Sequence, residues 1–342
     1  MEVRYKFVNY GEDLSPEPGV LVLDVGKKTL PGVIDHHHPD AEPECTASLI
    51  IRHPTLVLDH LRNWNGPLQL TTHRLPDFDA IASIFLSLKL LEIGRPDESM
   101  GRIARYTRMV DSASLPEDID LASTPYSILR ALFSRIRGSE EENNIERVRE
   151  GLKFMRFLYA KSEEGYDFDE NKLLFLGIDR YERAMRKAEN DYFNYLTDVG
   201  RSQNFLLWLP LVSGEGTKKV DGLIVKNPRC FLLKEWARRD HEHSSLGEGF
   251  SFLLTRFGNK RFILGVNPEK GVNLKGLGGI LNQKEREKRA ELQRPFPLPW
   301  YDGDCPFFNY RIIDSPQDET ALSHEEIVDL ILAYSAGLKA DS

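Results

Sequence analysis

The chain has 342 residues, 41% of them hydrophobic and 29% charged, with a formal net charge of −8. That is the composition of a globular protein of about two domains, and its negative balance excludes adhesion to nucleic acid by the whole surface. Three distant cysteines, Cys45, Cys230 and Cys305, exclude a disulfide framework and point to a reducing, cytoplasmic setting.

The N-terminal "MEVRYKFVNY" has no apolar core behind a basic region, so no secretory signal is expected. The first strand-like runs are "GVLVLDVG" (19–26) and "PGVIDHHH" (31–38), short, continuously apolar and ending on polar residues. Strands buried on both faces of a parallel sheet look like this. "PLQLTTHRLPDFDA" (67–80) repeats the pattern, and "DAIASIFLSLKLLEIG" (79–94) has the spacing of a buried helix closed by Gly94 and Pro96. Strand, polar turn and helix in alternation predict an α/β domain with a doubly wound, mostly parallel sheet, ligands sitting at the carboxyl ends of its strands.

From about 125 to 200 the spacing of apolar residues becomes helical, and β-patterned runs resume at "NFLLWLPLV", "VDGLIVKN", "GFSFLLTRF" and "RFILGVNP". The last helix is expected in "SHEEIVDLILAYSAG", with Ser323 as N-cap and Glu326 at the capping-box position. The predicted boundaries are a catalytic domain over 1–200 that includes the helical segment, and a smaller α+β, substrate-binding domain over 201–342. No run reaches the length of a membrane span, the longest being of the order of "FLLWLPLV" (205–212), so no membrane partner is expected. Residues 1–200 carry a net −9 and residues 201–342 a net +1, with 14 basic against 7 acidic residues in 226–289. An acidic half joined to a half with a basic stretch suits an anionic ligand held in the cleft between them. A homo-oligomer is compatible with the sequence, which does not decide it.

Six of the nine histidines lie within residues 36–73. The best-organised group is "THRLPDFDAIAS", in which His73, Asp77 and Asp79 form H-x-x-x-D-x-D on a turn leaving a strand. Asp24 ends one strand-like run and Asp35 and His36 another, and Asp111 in "TRMVDSAS" ends a fourth apolar run. Nitrogen and carboxylate donors without cysteine suit Mn²⁺, Mg²⁺, Co²⁺ or Fe²⁺ better than a structural zinc.

"LVLDVG", "VIDHHH" and "THRLPDFDAIAS" together resemble motifs of the DHH (Asp-His-His) phosphoesterase superfamily, over roughly residues 18 to 115. That family includes inorganic pyrophosphatases, exopolyphosphatases, single-strand exonucleases, oligoribonucleases and cyclic-dinucleotide phosphodiesterases. The resemblance implies a hydrolase with two Mn²⁺ ions, Mg²⁺ or Co²⁺ being substitutes. His73 and Asp77 would ligate one ion, His36 and Asp79 the other, Asp24 would bridge them and Asp111 complete the shell. His37 would face the scissile phosphate and Asp35 orient a histidine; His38 falls outside the motif. In the family H-x-x-x-D-x-D precedes Asp-His-His, whereas here it follows, so the implied sheet is permuted, with only eleven residues from Asp24 to Asp35.

The family's nuclease branch ends in a glycine-rich motif with a histidine. Here "VNLKGLGGILNQKEREKR" offers Lys275, Gly276, Gly278 and Gly279 without one. Arg238 and Arg239 are further candidates for holding phosphate, and the aromatics and Arg311 of "PWYDGDCPFFNYRIIDSP" either close over substrate or belong to the core. The expected activity is two-metal hydrolysis of a phosphodiester or phosphoanhydride in a nucleotide, a short single-stranded nucleic acid, a cyclic dinucleotide or a poly- or pyrophosphate. A catalytically silent nucleotide-binding or regulatory module that keeps the metal site is the alternative.

Overall fold

The computed structural model describes residues 2–168, 172–296 and 298–340. The chain is mixed α/β with two five-stranded sheets, and it packs as two compact units, Met1–Glu189 with Cys305–Phe307, and Asn190–Asp304 with Phe308–Ser342. The division falls inside the continuous helix Asp179–Val199.

In the first unit the elements run β1 (Val3–Val8), β2 (Val20–Leu23), β3 (Thr29–Leu30), β4 (Val33–Ile34), α1 (Thr46–Arg52), α2 (Thr55–Leu61), β5 (Leu68–His73), α3 (Phe78–Ile93), α4 (Glu98–Asp111), α5 (Pro125–Phe133), α6 (Glu140–Glu163), α7 (Lys172–Phe175) and α8 (Asp179–Val199), which continues into the second unit. The sheet order is β1-β5-β2-β4-β3. β1, β5, β2 and β4 are parallel, and β3 pairs antiparallel with β4 at the edge. Helix α6 packs on β1, α3 on β5 and β2, and α1 on β4, so the helices follow the strand order across the sheet.

Parallel neighbours ordinarily need a crossover of a dozen or more residues. Here the short segment from Asp24 to Gly32 suffices because it reverses twice. Asp24, Gly26, Lys27 and Gly32 all have positive φ (62°, 117°, 58° and 92°), and β3 takes the edge position before β4 fills the place beside β2. At Gly26 a Cβ would stand 2.7 Å from Val33 Cγ1, so that turn requires glycine.

The second unit holds β6 (Gln203–Pro210), β7 (Thr217–Lys226), α9 (Leu233–Arg238), β8 (Phe252–Phe257), β9 (Arg261–Val266), α10 (Leu277–Glu291), β10 (Ile312–Asp314) and α11 (His324–Ala340), with sheet order β10-β9-β8-β7-β6. Only β7 and β8 are parallel. Its core is built on Leu207, Phe252, Phe262, Leu264, Leu281 and Trp300. Ser323 caps α11 with Glu326 returning the bond, the two distances being 3.1 and 2.8 Å. Trp300 of the C-terminal aromatic stretch is core, its indole N–H donating to buried Glu285. Among the described residues no helix is long and apolar enough to cross a membrane.

Candidate metal centre

The carboxyl ends of the parallel strands deliver the side chains. Asp24 follows β2, Asp35 and His36 follow β4, and His73 is the last residue of β5. Asp77 is the N-cap of α3, accepting the Ala80 N–H at 3.1 Å, and Asp79 lies in its first turn. Asp111 closes α4, so the apolar run before it is the end of a helix.

Three overlapping groups bring ligand atoms within 4.8 Å of one another: Asp24 with His73 and Asp77, His36 with Asp79 and Asp111, and Asp24 with His36 and His37. His73 Nε2 lies 3.3 Å from Asp24 Oδ2 and 3.8 Å from Asp77 Oδ1. Its Nδ1 donates to the Arg74 carbonyl at 2.9 Å, which makes Nε2 the nitrogen that could coordinate an ion. His36 Nδ1 stands 3.7 Å from both Asp24 and Asp79, and its Nε2 is 3.5 Å from Asp111. Asp24 holds its place in the left-handed region, φ 62°, where few residues other than glycine or Asn/Asp settle. Thr46 Oγ1 donates to it at 3.1 Å. Asp79 is buried and accepts the Thr46 and Ala47 N–H groups, both at 2.9 Å, which orients its two oxygens.

The electrostatics fit a cation. Burial, and after it the charges of Asp24 and Asp111, push the Asp79 carboxyl well above the carboxylate range. Burial likewise raises Asp24 although His73 donates to it. His36 is held well below its ordinary value by burial and by the neighbouring His37 charge, so it is a neutral imidazole able to ligate. Burial opposes charge on His73, but the Asp24 and Asp77 carboxylates outweigh it and raise its pKa to about 10. Carboxylates crowded in a buried site with proton-holding histidines are what a metal-binding pocket looks like without its metal, and oxygen and nitrogen donors lacking sulfur suit a hard or borderline divalent ion.

His37 is set apart from the other candidate ligands by its partner. Its Nδ1 is 2.7 Å from Asp35 Oδ1 and 3.8 Å from Asp24, so that nitrogen is committed to Asp35. Asp35 is in turn fixed by the Lys27 and His37 N–H groups at 2.7 and 3.1 Å. Against burial, the Asp35 carboxylate lifts His37 well above the usual histidine range. Its ring stacks on His36 at 4.0 Å. His38 lies apart, against the Thr29 hydroxyl at 3.1 Å.

Several residues of the site carry no sequence signal. Tyr10 stacks on His73 at 4.0 Å with its hydroxyl 2.9 Å from Nε2. Phe307, from the short segment that packs with the first unit, lies 4.9 Å from the His36 ring. Asn144 Oδ1 accepts the Leu75 N–H at 2.7 Å and so fixes the turn between His73 and Asp77. The candidates of the second unit have occupations there. Arg238 donates to the Val266 carbonyl and Arg239 to the Glu235 carbonyl, at 3.2 and 3.0 Å. A Cβ on Gly278 would meet Asp302 Cβ at 2.2 Å, so that glycine makes room for an acidic side chain. Gly279 faces open space, and exposed Lys275 lies over the Tyr310 ring. No protein-family model, no curated protein and no solved structure matches this chain.

Proposed function

We propose that the chain is a divalent-metal-dependent phosphohydrolase of the DHH type, a doubly wound DHH-like sheet carrying its site and Mn²⁺ its preferred ion. The observation that supports this best is the sharing of Asp24 and His36 among the three ligand groups. Two adjacent donor sets joined through one carboxylate suit a pair of ions acting on one phosphate. His73, Asp77 and Asp24 would hold one ion, and His36, Asp79, Asp111 and Asp24 the other. Such ions supply Lewis acidity, polarising phosphoryl oxygens and acidifying water toward neutral pH.

The chain's own residues do the remainder. His37 keeps one proton on Nδ1, donated to Asp35, and a second on Nε2, which it gives to the leaving oxygen as general acid. Asp35 stabilises that imidazolium and, because two backbone N–H groups fix its own carboxylate, stops the ring from turning. Tyr10 and Phe307 cover the faces of His73 and His36 and keep bulk water off the ligand nitrogens. The substrate is a phosphodiester or phosphoanhydride: pyrophosphate, polyphosphate, a cyclic dinucleotide or a short single-stranded oligonucleotide.

The test is a panel of these four with Mn²⁺, reading inorganic phosphate against mononucleotide released. Cleavage of at least one, abolished by chelation, is expected. Absence of cleavage with every divalent ion would end the reading, and tight nucleotide binding without turnover would make the chain a binding or regulatory module instead.

A further inference from the structure

Helix α6 lies along the turn that joins β5 to α3. Glu140, Asn144 and Arg147, spaced four and three residues apart, share one helical face, and each meets that turn. Glu140 pairs with Arg74 at 3.2 Å, Asn144 accepts the Leu75 N–H at 2.7 Å, and Arg147 Nη1 reaches the Leu75 carbonyl at 3.4 Å. Leu75 has φ 54° and sits midway between His73 and Asp77. Asn144 holds its N–H, and the long Arg147 contact uses one of the five donors of a guanidinium.

Arg147 is half-buried with its guanidinium over the Phe133 ring, 5.1 Å from the centroid. Among the described residues no carboxylate lies within ion-pair distance of it. Its reach to the Leu75 carbonyl, between His73 and Asp77, places it at that end of the site, where the charge of Asp77 acts on it. The Asp77 side chain there is 48% exposed, so this end is open to solvent. Burial and Arg130 lower the Arg147 pKa only to about 10, and the group stays charged at neutral pH. A planar fork next to a ligand carboxylate matches a phosphoryl group that also touches the metal.

We infer that Arg147 binds a phosphoryl oxygen of the substrate at the His73–Asp77 end of the metal centre, giving the first unit an anion subsite of its own. The inference rests on the phosphohydrolase reading. Its test uses the full chain loaded with Mn²⁺ and inorganic phosphate as the probe, titrated calorimetrically in wild type, Arg147→Ala and Arg147→Lys. Wild-type Mn²⁺ stoichiometry and melting temperature are expected in both variants. Phosphate affinity should fall about tenfold or more in Arg147→Ala, the loss of a charge-assisted pair, and recover in part in Arg147→Lys. Unchanged phosphate affinity in an active protein would overturn the inference alone. Joint loss of Mn²⁺ binding and stability in both variants would make Arg147 a clamp for the turn and overturn it too. A wild-type protein that binds Mn²⁺ but neither binds phosphate nor cleaves any ester or anhydride would refute the underlying reading.

Discussion

Asp24 belongs to two of the three ligand groups, so Asp24→Asn is the sharpest test of whether its carboxylate serves the metal or the fold. The replacement keeps size and shape, and Asn tolerates the φ of 62° found there. In the metal-free protein the introduced amide oxygen still accepts from Thr46 Oγ1, now at 3.1 Å, and its NH₂ faces His73 Nε2, now 3.3 Å from Asp24 Oδ2. His73 already donates from Nδ1 to the Arg74 carbonyl, so as a neutral ring it can accept that new bond. One buried charge is lost, and the new amide shares the His73 Nε2 lone pair with the Tyr10 hydroxyl, 2.9 Å away, which puts the metal-free variant within about 1–2 kcal/mol of wild type. Metal should reveal the difference. At an Mn²⁺ concentration one hundred times its dissociation constant, wild type gains about 2.7 kcal/mol, a rise in melting temperature of about 5–10 °C for a unit of this size. The variant, deprived of the shared ligand, should gain less than about 1 kcal/mol at the same concentration. Thermal melts with chelator and with Mn²⁺ read both quantities. A full Mn²⁺-induced rise in the variant, or a metal-free variant destabilised by more than about 3 kcal/mol, would refute the assignment of Asp24 as a bridging ligand.

His36→Ala should lower metal occupancy, with partial rescue by excess Mn²⁺. His37→Ala should keep its metal and lose kcat by about 10²-fold or more; elemental analysis beside kinetics separates the two, and equal metal loss in both would make His37 a ligand. The pKa of His73 rises on folding from 6.5 to about 10, so its contribution to metal-free stability is complete below 6.5 and is lost as pH climbs through about 10. Within that window Mn²⁺ must displace the Nε2 proton, so its affinity should increase with pH and binding at pH 8 should release protons; calorimetry in two buffers of different ionisation enthalpy that gave identical heats would contradict this. Asn144→Ala leaves the Leu75 N–H without its 2.7 Å acceptor, which should cost about 1–3 kcal/mol in denaturant melts and weaken Mn²⁺ binding, whereas an unchanged Mn²⁺ affinity would show that the turn holds its shape unaided.

The sequence marked the strand ends because β2 and β4 are wholly apolar and stop on Asp, while β5, buried at five of its six positions, ends on His73. Their order in the sheet was not readable, since pairing depends on contacts between distant residues. β1 escaped notice because "VRYKFV" alternates apolar with basic residues, the pattern of an edge strand with one face in solvent. Asp111 was legible as a residue closing an apolar run, but a run of that length fits a strand or the last turns of a helix equally well, and here it is α4. Thr46, Tyr10, Asn144 and Arg147 carry no local pattern, because each acts on the site through partners 10 to 72 residues away. Conversely, Gly278 stood out as glycine and turned out to accommodate Asp302.

The position of β5 also bears on how the site comes together in time. Asp24, Asp35, His36 and His37 lie within fourteen residues of one another on the β2–β3–β4 segment, so their half of the centre depends on short-range contacts. β5 lies between β1 and β2, which are sequence neighbours yet never pair with each other. Inserting it closes long loops, the slow kind of step in folding, and it is this step that brings in His73 and, with α3, Asp77 and Asp79. On the reading proposed above, a nascent chain would therefore have His37 and Asp35 arranged before the ligand groups that need His73, Asp77 or Asp79 can form.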